Sequence, residues 1–117
     1  MFGWSEAVDG FRCWETDALR VARDEAVVEQ RKWRARELAI LRVLDERGKV
    51  DDSLAARDGV NVRDLREKVE TARALDALPD IAAAAGAGTL SVSQVREAVK
   101  VADPGSDRDW AQRARNM

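Results

Sequence analysis

The feature that most constrains this fold is a long stretch, from Thr16 to Arg47, that contains neither glycine nor proline. Both residue types disfavour a helix interior, so their absence over such a length indicates one continuous helix. Thr16 is a candidate N-cap, and Arg47-Gly48-Lys49 is typical of a helix C-terminus. The sequence therefore predicts a long helix over residues 16–48, preceded by an N-terminal arm over residues 1–15.

The apolar residues of this predicted helix have a heptad spacing. Four of them lie seven residues apart: Leu19, Ala26, Trp33 and Ile40. This is the spacing of a coiled-coil seam. The segment from Glu29 to Glu37 is nearly all polar, so the helix either bridges solvent there or breaks near Gln30. A lone helix cannot bury its own apolar stripe, so the seam is expected to pack on the rest of the domain, on another chain, or on both.

Residues 53–77 have the pattern of a helix-turn-helix. A short helix over residues 54–57 is followed by Asp58-Gly59, a turn signal in which glycine can adopt the left-handed conformation. Asn61 is then placed to cap a second helix over residues 62–77. Two helices joined by such a turn are the arrangement that many DNA-binding proteins use.

Single residues at fixed offsets from the glycine support this prediction. Ala55 lies where the two helices cross and a small residue is needed, and Leu65 lies where the second helix needs an apolar anchor. Lys68 occupies a position that is usually apolar in the motif, and Val69 is the expected substitute. The buried stripe of the second helix is predicted to comprise Leu65, Val69, Ala72 and Leu75.

The remaining residues are predicted to form three short helices, over 79–86, 91–102 and 106–115. Pro79 suits the first position of a helix, and Ser91 and Ser106 are candidate N-caps. No alternating apolar run or hairpin signal is present. We therefore expect an all-α protein of about six helices. One long N-terminal helix would be followed by a bundle that contains the helix-turn-helix, and residues 16–117 would form a single domain.

The residue types present exclude most catalytic sites. The chain has no His, no Tyr and one Cys, Cys13, so most acid–base constellations are missing. Asp51 and Asp52 could touch a metal ion, but adjacent carboxylates before a helix usually cap it. We therefore predict a protein that is not an enzyme and that binds no metal or cofactor. The lone cysteine and the lack of a signal peptide or a long apolar run favour a soluble, cytoplasmic protein.

The second helix of the motif is the candidate DNA-binding element, although the net charge of −2 argues mildly against nucleic acid. Its N-terminal outward residues would enter the major groove, and the other basic side chains of the motif would contact phosphates. The candidates for base contacts are Asn61, Arg63, Asp64 and Glu67. The candidates for phosphate contacts are Arg57, Arg66, Lys68 and Arg73. The alternative is a solvated face in which Arg63–Glu67 and Arg66–Glu70 form ion pairs.

Three segments between Glu37 and Ala114 match one family pattern. They read LAILRVLDERG, SLAARDGVNVRDLREKVETARALDALPDIAAA and GTLSVSQVREAVKVADP, and "ARAL…LP" followed by "G-x-LS…VR" is the most specific part. This pattern resembles the actinobacterial domain of unknown function that lies N-terminal to HNH endonuclease domains in thirteen-E-twelve repeat proteins. A weaker similarity runs to the helix-turn-helix region of ParB-like partition proteins, which binds DNA. The first resemblance implies an accessory helical domain whose biochemical role is unassigned, and the second supports a role at double-stranded DNA.

The nuclease activity of that family does not carry over, because an HNH site needs His and this chain has none. A family-like protein without the nuclease would be a small regulator, for example of transcription, from a phage or mobile element. The alternative is a non-enzymatic interaction module that forms a homodimer or binds a partner protein through the long helix and the tryptophans. In that case the aromatic residues of the arm would be buried in a second subunit; otherwise they would pack on the body of their own chain. Dimerisation and DNA binding are compatible, since a dimeric helix-turn-helix reads two half-sites.

Overall fold

The computed structural model describes residues 3–116, and the predictions for Met1, Phe2 and Met117 lie outside this range. Within it helices are the only regular secondary structure, which confirms the predicted all-α class. The expected number of about six helices is close to the seven observed, which are followed by a short 3-10 turn. The helices are α1 (Trp4–Arg12), α2 (Thr16–Glu46), α3 (Asp52–Asp58), α4 (Val62–Leu75), α5 (Pro79–Gly86), α6 (Val92–Val101) and α7 (Asp107–Arg113), and the turn is Ala114–Asn116.

Helix α2 is continuous over 31 residues, so the polar segment around Gln30 does not break it. The side of α2 that packs against the other helices is not the predicted heptad seam. Leu38 and Leu41 are the buried residues of α2, and they lie about 80–140° around the helix from Trp33. Trp33 and Ile40 are instead 62% and 55% exposed. Packing of the seam on its own domain is therefore not observed.

Most of the buried apolar residues form two clusters. The smaller cluster joins α2, α3 and α4 through Leu41, Ala55, Leu65 and Val69. The larger cluster joins α5, α6, α7 and the loops between them, and its members are Leu78, Ile81, Ala85, Leu90, Val95, Ala98, Ala111 and Ala114. Several members are alanines, so these short helices approach one another closely.

Four of the short helices, α3 to α6, are held at their N-terminal ends by side-chain caps. Ser91 forms a capping box with Gln94, as its position before α6 predicts. Ser106 makes no cap bond to α7, because its hydroxyl bonds Asp103 instead. The buried Asp107 caps α5 from a different helix, since its carboxylate accepts hydrogen bonds from the backbone N–H groups of Asp80 and Ile81 at 2.7 and 2.9 Å.

The turn between α5 and α6 holds the middle of α2. Gly88 has a φ of +77°, and a Cβ added there would lie 2.7 Å from the carbonyl oxygen of Val28. The Arg31 guanidinium also donates to the carbonyls of Gly88 and Thr89, both at 3.5 Å. The backbone of α2 and this turn are thus in direct contact, which is possible because residue 88 has no side chain.

The chain before this contact is much less enclosed. No described residue before Leu38 is buried, and none of the arm tryptophans packs into a core. The Cα radius of gyration is 17.0 Å, against about 13 Å for a compact domain of this length. We call residues 3–27 the extension and residues 28–116 the body. No helix within residues 3–116 is both long and apolar enough to cross a lipid bilayer.

Candidate nucleic-acid interface

Helices α3 and α4 form a helix-turn-helix through local interactions that the sequence predicts. The Asp51 carboxylate caps α3 by accepting from the N–H of Leu54 at 3.0 Å. Gly59 ends α3 in the left-handed conformation, with φ +69°, and the N–H of Val60 donates to the carbonyl of Ala55 at 3.0 Å. The side chain of Asn61 then caps α4. The turn therefore spans three residues, as in DNA-binding motifs of this type.

The crossing of the two helices has the predicted packing. Ala55 and Leu65 are both buried, so the small residue and the apolar anchor lie where the motif requires them. Val69 is buried and takes the apolar position that Lys68 cannot fill. The inner face of α4 is thereby fixed against α2 and α3, and its opposite face is left toward solvent.

The outward face of α4 carries two arginines and two glutamates. Arg63, Arg66, Glu67 and Glu70 are all exposed, and together with Val62 they line a shallow depression of about 460 Å³. Arg63 and Arg66 take part in no ion pair or hydrogen bond within residues 3–116. The i,i+4 pairs expected for a purely solvated face are therefore not formed, and both guanidinium groups are open to a ligand.

Two predicted phosphate-binding residues point toward α2 instead. Lys68 lies with its Nζ 3.1 Å from Oε1 of Glu37, and the Nε of Arg73 donates to Oδ2 of Asp45 at 2.7 Å. A third interaction of this kind joins Arg42 to Asp76, and the hydrogen bond to Asp76 raises the pKa of the Arg42 guanidinium. These pairs tie α2 to α4, so Lys68 and Arg73 are occupied within the protein.

The other predicted site residues lie at the N-terminal end of α4. Asn61 is exposed, but its Oδ1 accepts the N–H of Asp64 at 2.8 Å, which leaves its amide N–H₂ group for a ligand. Arg57 is exposed at the end of α3, and Asp64 and Glu67 are exposed on α4. Six of the eight predicted residues are thus exposed and in no ion pair within residues 3–116, and acidic and basic side chains are interspersed among them. Arg73 is exposed as well, but it is paired with Asp45.

Sequence reasoning missed one cation next to this face. Arg96 on α6 lines a groove of about 440 Å³ together with Glu67 and Glu70 of α4, and Lys100 lies farther along the same groove. Lys100 is paired with Glu97 at 3.1 Å. The helical spacing of α6 could have placed Arg96 on the half-buried side of that helix, but no local pattern shows that α6 packs beside α4.

Comparison of the chain with protein-family models, with curated proteins and with solved structures finds no match.

Proposed function

We propose that the protein is a small, non-enzymatic DNA-binding regulator that inserts the N-terminal half of α4 into the major groove. The observation that carries this proposal is the pair of exposed, unpaired guanidinium groups of Arg63 and Arg66 on the second helix of a well-formed helix-turn-helix. An arginine in this position can donate two hydrogen bonds to a guanine edge or neutralise a phosphate. The resemblance to the DNA-binding region of ParB-like proteins supports the same role.

The charge around the motif shapes the expected binding mode. Asp64 and Glu67 lie beside the two arginines, so this surface is nearly neutral and attracts the phosphate backbone only weakly. Carboxylates close to base edges can accept from the amino group of cytosine. We therefore expect weak binding to arbitrary duplexes, with affinity concentrated in a limited set of sites.

Duplex binding is tested by fluorescence anisotropy on pooled genomic fragments. The wild-type protein is expected to bind the pool weakly at low salt and to lose about tenfold in affinity between about 50 and 200 mM salt, because its two free arginines release about two counterions. The double variant Arg63→Ala/Arg66→Ala is expected to abolish detectable binding, because it removes both free cations of the outward face.

The matched control is Arg108→Ala/Arg115→Ala. Both residues are exposed and make no ion pair within residues 3–116, so the control changes the net charge equally at a distant place. It is expected to bind like the wild type. Absence of any complex on pooled fragments at low salt, or equal losses in the two double variants, would contradict the proposal.

A second candidate function is favoured by a different observation. Trp4, Phe11, Trp14 and Trp33 are large, exposed and unpaired with any core, and aromatic residues of this kind are enriched at protein interfaces. The extension, together with Trp33 on the adjoining part of α2, is therefore also a candidate protein-binding element, for a partner protein or for a second copy of the chain.

A further inference from the structure

Helix α1 has an apolar face that is left largely uncovered within residues 3–116. Trp4, Ala7, Val8 and Phe11 recur at the i, i+3, i+4, i+7 spacing of one helix face, and Glu6 and Asp9 lie on the other. None of the residues of α1 is buried. A short amphipathic helix with this spacing is the form in which helices insert into apolar grooves.

The body has a groove of matching character on α2. The groove has a volume of about 450 Å³, and its apolar lining comprises Trp33, Ile40, Leu41, Leu44 and Leu54. Arg36 lies over the Trp33 ring at 4.6 Å from the centroid, so this ring keeps one face for a guanidinium and exposes the rest. The groove continues into the heptad seam, because Trp33 and Ile40 are members of both.

The α1 helix cannot reach the apolar part of this groove within its own chain. Thr16 is 17 residues from Trp33 and 24 residues from Ile40 on one unbroken helix, which is about 26 and 36 Å. The link of residues 13–15 and the nine residues of α1 together span about 23 Å at most. Any α1 helix that enters the groove must therefore come from another molecule.

The distribution of charge favours an antiparallel arrangement of two copies. Residues 3–17 carry four acids and one base, whereas residues 30–36 carry four bases and no acid. In a parallel pair, the acidic segments of the two copies would lie side by side, as would the two basic segments, and these like charges would repel. In an antiparallel pair centred on Ala26, residues 30–36 lie opposite residues 16–22, which carry one acid and one base, so this repulsion is absent.

The heptad seam has the symmetry that such a pair needs. Leu19 and Trp33 are equally distant from Ala26, so in an antiparallel pair Ala26 meets its counterpart and Leu19 lies beside Trp33 of the second copy. The exposed aromatic residues are Trp4 (75%), Phe11 (46%), Trp14 (48%) and Trp33 (62%). They present on the order of 500 Å², more than half of the roughly 800 Å² that each partner buries in a standard interface.

We infer that two copies of this chain associate antiparallel along α2, with the seam centred on Ala26 and with α1 of each copy in the Trp33–Ile40 groove of the other. The association uses α2 and the Leu54 side of α3 but not the outward face of α4. It therefore goes beyond DNA binding and does not depend on it.

Sedimentation equilibrium at up to about 1 mM protein tests both the oligomeric state and the contribution of the seam to it. The wild type is expected to be dimeric. Ile40→Ser is expected to raise the dissociation constant at least tenfold, because a two-fold interface loses the contact twice. The matched control is Val21→Ser, which removes a similarly exposed aliphatic residue (57%) from another side of α2 and is expected to change the constant less than twofold.

The direction of the pair is tested by oxidative cross-linking. In the antiparallel pair Thr16 lies about 30 Å from its counterpart, so the adjacent Cys13 residues cannot join and the wild type is expected to remain uncrosslinked. Ala26→Cys in a Cys13→Ser background is expected to form a covalent dimer. Val21→Cys in the same background is expected to form none.

The inference is overturned if the protein is monomeric at the highest concentration, or if Val21→Ser weakens the dimer as much as Ile40→Ser does. It is also overturned if the wild type cross-links through Cys13, because that would show a parallel pair. Arg63→Ala/Arg66→Ala is expected to dimerise like the wild type. Loss of DNA binding and loss of dimerisation are thereby distinguished, because each has its own variant.

Discussion

The body buries the apolar faces of its helices, whereas the extension leaves them exposed. In the body, short helices turn their apolar residues toward one another, and Leu65, Ile81, Leu90 and Val95 are almost fully enclosed. In the extension, two amphipathic helices leave theirs facing solvent. An apolar stripe therefore specifies a helix and one of its faces, whereas the covering of that face depends on which other parts of the chain can reach it.

The largest effect is expected from a core residue of the body. Ile81→Ala removes a side chain with no exposed surface, and we expect it to lower the free energy of unfolding by about 2–5 kcal/mol. Urea denaturation followed by circular dichroism measures this loss. The control Val21→Ala on the extension is expected to change stability by less than about 0.5 kcal/mol. Equal effects of the two substitutions would remove the distinction between body and extension.

The next largest effect is expected where the body contacts α2. Gly88→Ala introduces a Cβ that would meet the Val28 carbonyl oxygen at 2.7 Å, in a backbone conformation that is already unfavourable for alanine. We expect a loss of about 2–4 kcal/mol in thermal or urea unfolding, from strain and overpacking combined.

Gly59→Ala is the matched control for this contact. Gly59 has a similar φ of +69°, but a Cβ added there has nothing within 4 Å. Only the conformational cost of about 1–2 kcal/mol then applies. If Gly88→Ala were no worse than Gly59→Ala, the turn between α5 and α6 would not hold α2 closely.

A smaller effect is expected from the cap that joins α7 to α5. Asp107→Ala leaves the backbone N–H groups of Asp80 and Ile81 without their acceptor inside the body, and we expect a loss of about 1–3 kcal/mol. Asp109→Ala, an exposed change on the same helix, is the control and should be nearly neutral. Equal stabilities of the two variants would show that water replaces the carboxylate without cost.

Features that depend on neighbouring residues were predictable from the sequence. The caps at Asn61 and Ser91, the left-handed Gly59, and the buried pair Ala55 and Leu65 all follow from local backbone chemistry. Their accuracy explains why the helix-turn-helix could be recognised without any structure.

Features that depend on distant residues were not predictable. The seam through Trp33 and the buried side of α2 through Leu38 have equally good helical spacing, and the choice between them is made by α4 and α5. The cap from Asp107 to α5 bridges more than twenty residues and has no local signal. For the candidate DNA site, the sequence placed Arg63 and Arg66 on an exposed helix face, but it could not show that Lys68 and Arg73 are occupied by acids of α2.

The smallest effect on folding is expected from the most apolar part of the extension. Trp4→Ala/Phe11→Ala removes two large aromatic side chains, yet neither is buried in its own chain, so the monomer loses little packing. Measured by urea unfolding at protein concentrations below any association, the change is expected to stay within about 0.5 kcal/mol. At high concentration the same variant should be less stable than the wild type, because only the wild type gains stability from a binding equilibrium. A loss above about 1 kcal/mol at low concentration would show that α1 packs on its own body, and the contrast between the two regions would then be one of degree.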